Sequence, residues 1–137
     1  MNDIPGRLAA VRADLVQDSL DALIVPRADE YLGEYVPEQN ERLRWISGFT
    51  GSAGQVIVLV DRAAIFVDGR YTIQVRQQVP AACFEYQHLI DSPPVAWLCE
   101  SQAAGARVGI DTRLHSQAGY SAMQQQLAQN AIELVEV

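Results

Sequence analysis

An α/β domain built on a six-stranded mixed sheet is what this sequence predicts, and three observations predict it. Six short apolar runs, centred on residues 22–25, 55–60, 63–67, 83–90, 107–111 and 131–137, are interleaved with stretches whose apolar residues recur at helical spacing. Two of those runs are joined only by Asp61 and Arg62, so one hairpin brings antiparallel pairing into a sheet whose other connections are long enough to be crossovers. The length, 137 residues, matches one domain (1–137) and suffices for a core without disulfides or a structural metal.

The elements follow in order. Pro5 fits the first turn of a helix whose stripe is Leu8, Val11 and Leu15, running to about Ser19, and ALIV (22–25) follows as a buried strand stopped by Pro26. Residues 26–40 hold two prolines, a glycine and several carboxylates without a period, which predicts a long surface loop, and long loops in compact domains tend to be functional. Asn40 can cap a short helix over ERLRWI, and Gly48 ends it. The loop FTGSAG then leads into strand QVIVLV, the hairpin and AAIFV, where DGRY breaks the strand. Tyr71, Val75 and Val79 space out a further helix, CFEYQHLI alternates as a strand, and Ser92 is expected to cap a helix that has Pro93 in its first turn and ends at Gly105. Val95, Leu98 and Cys99 form its inner face. RVGID is the fifth strand, SQAGYSAMQQQLAQ a helix with Tyr120, Met123 and Leu127 inward, and AIELVEV the sixth strand. Because the chain stops on that apolar strand without a tail, it is expected to be one domain of a longer protein.

Composition excludes several function classes. Apolar residues make up 49% and charged residues 20%, ordinary globular usage. The formal charge is −7 and no basic run interrupts it, so the sequence predicts no nucleic-acid partner. No apolar stretch is long enough to span a bilayer and the N-terminus lacks the pattern of a signal peptide, so no membrane partner and a cytoplasmic location are expected. Cys83 and Cys99 are separated by fifteen intervening residues in a pattern that is neither CxxC nor half a zinc ribbon, and are expected to be buried free thiols.

The chemistry-bearing motifs are sparse. Gly48, Gly51 and Gly54 give GxxGxxG, with no lysine after it and a strand next, so neither the dinucleotide nor the P-loop fingerprint is met. The glycines serve positive φ and close approach of the chain where a helix passes into a strand. His88 and His115 are twenty-seven residues apart with no HExxH, so no metal site is predicted in this chain. Ser52 in GSAG lacks the nucleophile-elbow pattern GxSxG. Asp68 and Arg70 sit where a strand ends, read as turn chemistry and an ion pair, with contact of Arg70 to a substrate or partner as the competing role. Trp45 and Phe49 flank the glycine loop, as core or as the lining of a surface groove, with at least one of them expected in the core.

The order of these stretches says more than any one of them. GEYVPEQNERLRWISGFTGSAG (33–54), VDGRY (67–71) and RVGIDTRL (107–114) together closely resemble the N-terminal domain of the Xaa-Pro aminopeptidases, also called aminopeptidase P, in the creatinase, prolidase and methionine aminopeptidase superfamily. The resemblance runs over essentially the whole chain and implies a three-layer α/β/α fold around a six-stranded mixed sheet, the creatinase N-terminal fold. It implies that catalysis belongs to a separate C-terminal pita-bread domain holding two divalent metal ions, usually manganese, none of whose ligands can be placed on this chain.

What it further implies is a non-catalytic domain that packs over the active-site cleft of a proline-specific metalloaminopeptidase, restricts access to short peptides with proline at the second position, and aids subunit association, including a homodimer. The catalytic domain of the same polypeptide is then its first partner. Glu34, Tyr35, Arg44, Trp45, Phe49, Ser52 and Arg70 are the candidate residues for substrate access or the interface. The competing reading is a free-standing peptide- or metabolite-binding module of the same fold. An exposed apolar face is expected of the first, a polar surface with a pocket at the glycine loop of the second.

Overall fold

The computed structural model describes residues 4–26, 42–49, 54–102, 104–110 and 117–136. In chain order these form α1 (Ile4–Gln17), β1 (Ala22–Pro26), α2 (Arg42–Ser47), β2 (Gln55–Leu59), β3 (Ala63–Val67), a 3-10 turn (Gly69–Tyr71), α3 (Thr72–Gln78), β4 (Glu85–His88), α4 (Pro94–Ser101), β5 (Arg107–Ile110), α5 (Gln117–Ala128) and β6 (Glu133–Glu136). The strands make one six-stranded sheet in the order β4-β3-β2-β1-β5-β6. β2 runs antiparallel to both its neighbours, whereas the pairs β1–β5, β3–β4 and β5–β6 are parallel, so the sheet is mixed as the sequence predicts.

The two-residue period of the strands divides the apolar side chains between two cores. Val25, Val56, Val58, Ile65 and Val67 point to one face, where Leu8 and Leu15 of α1, Ile46 of α2 and Val75 of α3 cover them. Ala22, Ile24, Ile57, Ala64 and Phe66 point to the other, beneath Trp97 and Leu98 of α4 and Leu127 of α5. The two halves of the sheet confirm a single handedness. β3-α3-β4 steps one way along the sheet and β5-α5-β6 the other, so one crossover hand requires α3 and α5 on opposite faces, where their buried residues are found. Central strands β2 and β3 are consequently buried on both faces, which is why they read as continuous apolar runs.

Several helix ends differ from the sequence expectation. α1 stops at Gln17, and Ser19 takes the left-handed conformation with φ 58°. Leu20 N–H donates to Leu15 O at 2.8 Å and Ser19 N–H to Val16 O at 3.2 Å, the paired bonds of a Schellman turn. α5 ends in the same way, with Ala131 at φ 56° and Ile132 N–H donating to Leu127 O at 3.0 Å. Ser92 does not cap α4. Pro93 occupies that position with ψ 137° and no side-chain bond, because two successive prolines hold the chain extended up to the first helical residue. Gly105 does not close α4 either. The helix ends at Ser101 with Gln102 as its extended C-cap, and Gly105 with φ 92° turns the chain into β5, its N–H donating to Ala131 O at 2.7 Å. Both cysteines are free and half-buried rather than fully buried.

Candidate functional site

The sheet has one end at which β1, β3, β4 and β5 all finish and β2 begins. The register fixes this: Pro26 lies opposite Gln55, Gln55 opposite Phe66, Val67 opposite His88 and Ile24 opposite Ile110. The chain therefore leaves the sheet at Pro26 and re-enters it at Gln55, DGRY leaves it at Val67, and RVGI reaches it at Ile110. Described residues from three stretches far apart in sequence, 54–55, 67–71 and 107–110, share this end, the place where open α/β sheets present their loops.

Local chemistry explains the described part of that end. Gly48, with φ 82°, ends α2 in a conformation that L side chains resist. Ser47 is fully buried, and its Oγ accepts the Phe49 N–H at 3.2 Å, which satisfies a donor freed by the end of the helix. The turn drives Phe49 inward to 1% exposure, where its ring meets Tyr71 edge-on at 5.4 Å and 84°. That contact joins SGF to DGRY. The 3-10 turn is closed by Tyr71 N–H donating to Asp68 O at 3.0 Å.

Trp45 lies at the surface, at 47% exposure. Arg7 of α1 donates through Nη1 to Trp45 O at 2.6 Å, and its guanidinium lies 5.2 Å from the centre of the indole ring. Arg7 stands thirty-eight residues away in the chain, and no local signal in the sequence marks it. Two further apolar side chains are exposed next to this end, Ile73 in the first turn of α3 at 73% and Ile90 just past β4 at 77%. Between α3 and β4 a small cavity of about 130 Å³ is lined by Thr72, Arg76, Tyr86 and His88. Arg76 stacks 5.0 Å over the Tyr86 ring, and Tyr86 OH donates to Val79 O at 2.5 Å. His88 Nδ1 accepts the Ile90 N–H at 3.2 Å, and Asp91 Oδ2 is 4.0 Å from Nδ1.

Of the candidate residues, Trp45 and Phe49 are placed as described. Arg44 lies on α2 and Arg70 in the 3-10 turn, with side chains outside the described residues, so the ion pair expected of Arg70 lies outside them too. Glu34, Tyr35 and Ser52 fall outside the described residues altogether, as do His115 and the expected cap Asn40. Among the described residues no three His, Cys, Asp or Glu side chains converge as metal ligands, and no helix is long and apolar enough to cross a membrane.

A six-stranded mixed sheet of this order, with SGF packed against DGRY, defines a class of α/β domain. Residues 7–137 match the Creatinase/Prolidase N-terminal domain, and the chain belongs to that family. It is 34% identical over 131 residues to Xaa-Pro aminopeptidase 2 of Rattus norvegicus, covering 96% of this chain and 19% of that protein, and 38% identical over 109 residues to Xaa-Pro aminopeptidase 2 of Homo sapiens, covering 80% and 16%. The chain thus spans less than a fifth of the length of these curated relatives. Among solved structures it superposes on the X-prolyl aminopeptidase of Caenorhabditis elegans, described as a cytosolic enzyme with a di-nuclear active site, with a TM-score of 0.87 at 24% identity over 98% of this chain and 24% of that one. It also superposes on the N-terminal creatinase/prolidase-like domain of a putative metallopeptidase from Corynebacterium diphtheriae, with a TM-score of 0.68 at 26% identity over 98% and 95% of the two chains.

Proposed function

We propose that this chain is the non-catalytic N-terminal domain of a cytoplasmic, metal-dependent Xaa-Pro aminopeptidase, where it forms part of the wall around the active site and contributes to subunit association. The observation that carries this reading is the contact that joins SGF to DGRY, with Phe49 locked against Tyr71 while Trp45, Ile73 and Ile90 stay exposed. A rigid sheet edged by irregular segments and uncovered apolar side chains suits a face that another domain covers. Glu34, Tyr35, Arg44, Ser52 and Arg70 join that face in this proposal. The relatives' names supply the substrate class, peptides with proline in the second position.

In this reading the reaction's two divalent metal ions, manganese the expected species, are held by the catalytic part of the longer protein. This reading assigns no metal to this domain, and no step runs through its residues. What the domain supplies is position: contacts remote from the scissile bond that hold a short peptide in register raise kcat/KM without touching the reacting atoms. The test is made on the longer protein. Trp45→Ala together with Ile73→Ser is expected to lower kcat/KM for Xaa-Pro tripeptides about tenfold, with bound metal unchanged, because binding energy at the wall is lost. Rates, metal content and oligomeric state that all match the unaltered protein would sink the proposal.

A further inference from the structure

A larger cavity, about 330 Å³, lies at the opposite end of the sheet, bounded by the first turns of α1, the β2–β3 hairpin and the turn that leads into β4. Its apolar side is Leu8, Ala63 and Phe84, and its charged groups are Arg12, Asp61, Arg62 and Glu85. Two of the four offset each other. Arg62 donates through Nε and Nη2 to both oxygens of Glu85, at 2.7 and 2.9 Å, and its guanidinium rests 5.1 Å from the Trp97 ring centre, so this pair is committed to the wall.

The other two keep hydrogen-bonding capacity, although Asp61 lies close enough to Arg62 to act on it electrostatically. Arg12 donates through Nε to Leu59 O at 3.0 Å, which pins the guanidinium and uses the donor needed for side-on pairing. The end-on edge formed by its two Nη groups remains, a fork spaced for one carboxylate. Asp61 makes no ion pair within 4.0 Å among the described residues, with Arg12 or any other cation. One pinned cation and one anion thus line a single cavity whose size is at the lower end for small-molecule sites.

We propose that this cavity binds a small zwitterion, a free α-amino acid, with its carboxylate on the Nη edge of Arg12, its ammonium toward Asp61 and its side chain against Leu8 and Phe84. The site is built from this chain's own residues at the hairpin end of the sheet, and its proposed ligand does not depend on the peptidase assignment.

Cys83 lines the same cavity and Cys99 lies on α4, which gives a built-in reporter and a built-in control. The chain is titrated with L-leucine, sodium acetate or methylamine, and alkylation of each cysteine by iodoacetamide is followed by peptide mass spectrometry. L-leucine at about 10 mM is expected to slow alkylation of Cys83 several-fold and leave Cys99 unchanged, while acetate and methylamine, each offering one charge, act at least about tenfold more weakly. Arg12→Gln and Asp61→Asn are each expected to weaken the leucine effect about tenfold. Arg12→Gln also loses the Leu59 contact, so Asp61→Asn, on the exposed hairpin tip, decides if that variant folds poorly. No protection of Cys83 by leucine, equal protection by acetate, or an unchanged leucine effect in Asp61→Asn overturns the proposal.

Discussion

At the scale of single residues, the Phe49–Tyr71 contact and the two left-handed non-glycine residues carry the clearest consequences. Phe49 is fully buried in the core between α2 and α3, so Phe49→Ala is expected to cost about 3–5 kcal/mol, read as a lower urea midpoint at constant m-value. Ala131 holds φ 56° at the end of α5, a conformation that costs an L residue about 1 kcal/mol and glycine little. Ala131→Gly should therefore stabilise the fold by up to about 1 kcal/mol, against the loss that glycine causes inside a helix. A fall in melting temperature for this variant would contradict the Schellman assignment. Glu85 gives the pH-dependent case. The hydrogen bond from Arg62 is the largest influence on its carboxyl and holds its pKa below the ordinary value, with burial opposing. A depressed folded-state pKa contributes stability that is present above the unfolded pKa and is lost as pH falls through the folded one. Both partners are more than a third exposed, so the contribution is at most about 0.5 kcal/mol, and Glu85→Gln should flatten stability slightly between about pH 5 and pH 3.

At the scale of elements, the ends of helices and strands are tied by groups distant in sequence. Arg107 opens β5, yet its guanidinium donates to the carbonyls of Asp18 and Ser19 just past α1, at 3.3 and 3.1 Å, and lies 3.6 Å from Glu133 of β6. Its backbone N–H donates to Asp21 Oδ2 at 2.8 Å, and the Asp21 N–H donates to Arg107 O at 2.7 Å. A cation at the carbonyl end of a helix complements both unpaired oxygens and the dipole. Arg107→Met keeps most of the stem and removes the charge, and should cost about 1 kcal/mol by urea unfolding. The two Schellman turns place Leu15 and Leu20 in one core and Leu127 and Ile132 in the other, so one device anchors a helix end on each face of the sheet. Both turns deliver the chain into a strand.

At the scale of the whole molecule, the sheet has two differently equipped ends, one carrying the family signature and exposed apolar side chains, the other a charged cavity. Ile73 and Ile90 are mostly exposed, so Ile73→Ser with Ile90→Ser should leave the stability of this chain within about 0.5 kcal/mol of its starting value. If those side chains pack against a neighbouring domain in the longer protein, the same pair of changes should lower its melting temperature clearly. Equal small effects in both settings would remove the reason for placing an interface there.

What the sequence determined by itself is the inventory: six strands, the hairpin at Asp61, the apolar stripes of α1, α3 and α5, and the motif order that marks the family. These depend on short-range periodicity, which a single chain displays. Where prediction missed, the cause was local chemistry overridden by neighbours in space. Ser92 is a fitting cap residue, but the two prolines after it set the backbone; Gly105 suits a helix end, but it turns the chain toward β5 and bonds to Ala131. Trp97 carried no marking in the sequence, yet it is a main residue of the second core, against Phe66 at 5.5 Å. Only the tertiary structure decided that Phe49 is core and Trp45 surface, that Arg7 and Arg107 reach residues far along the chain, and that Arg12 and Asp61 share a cavity. The strand order, with β1 between β2 and β5, creates those neighbours, and strand order is a property of long-range pairing that no local spacing encodes.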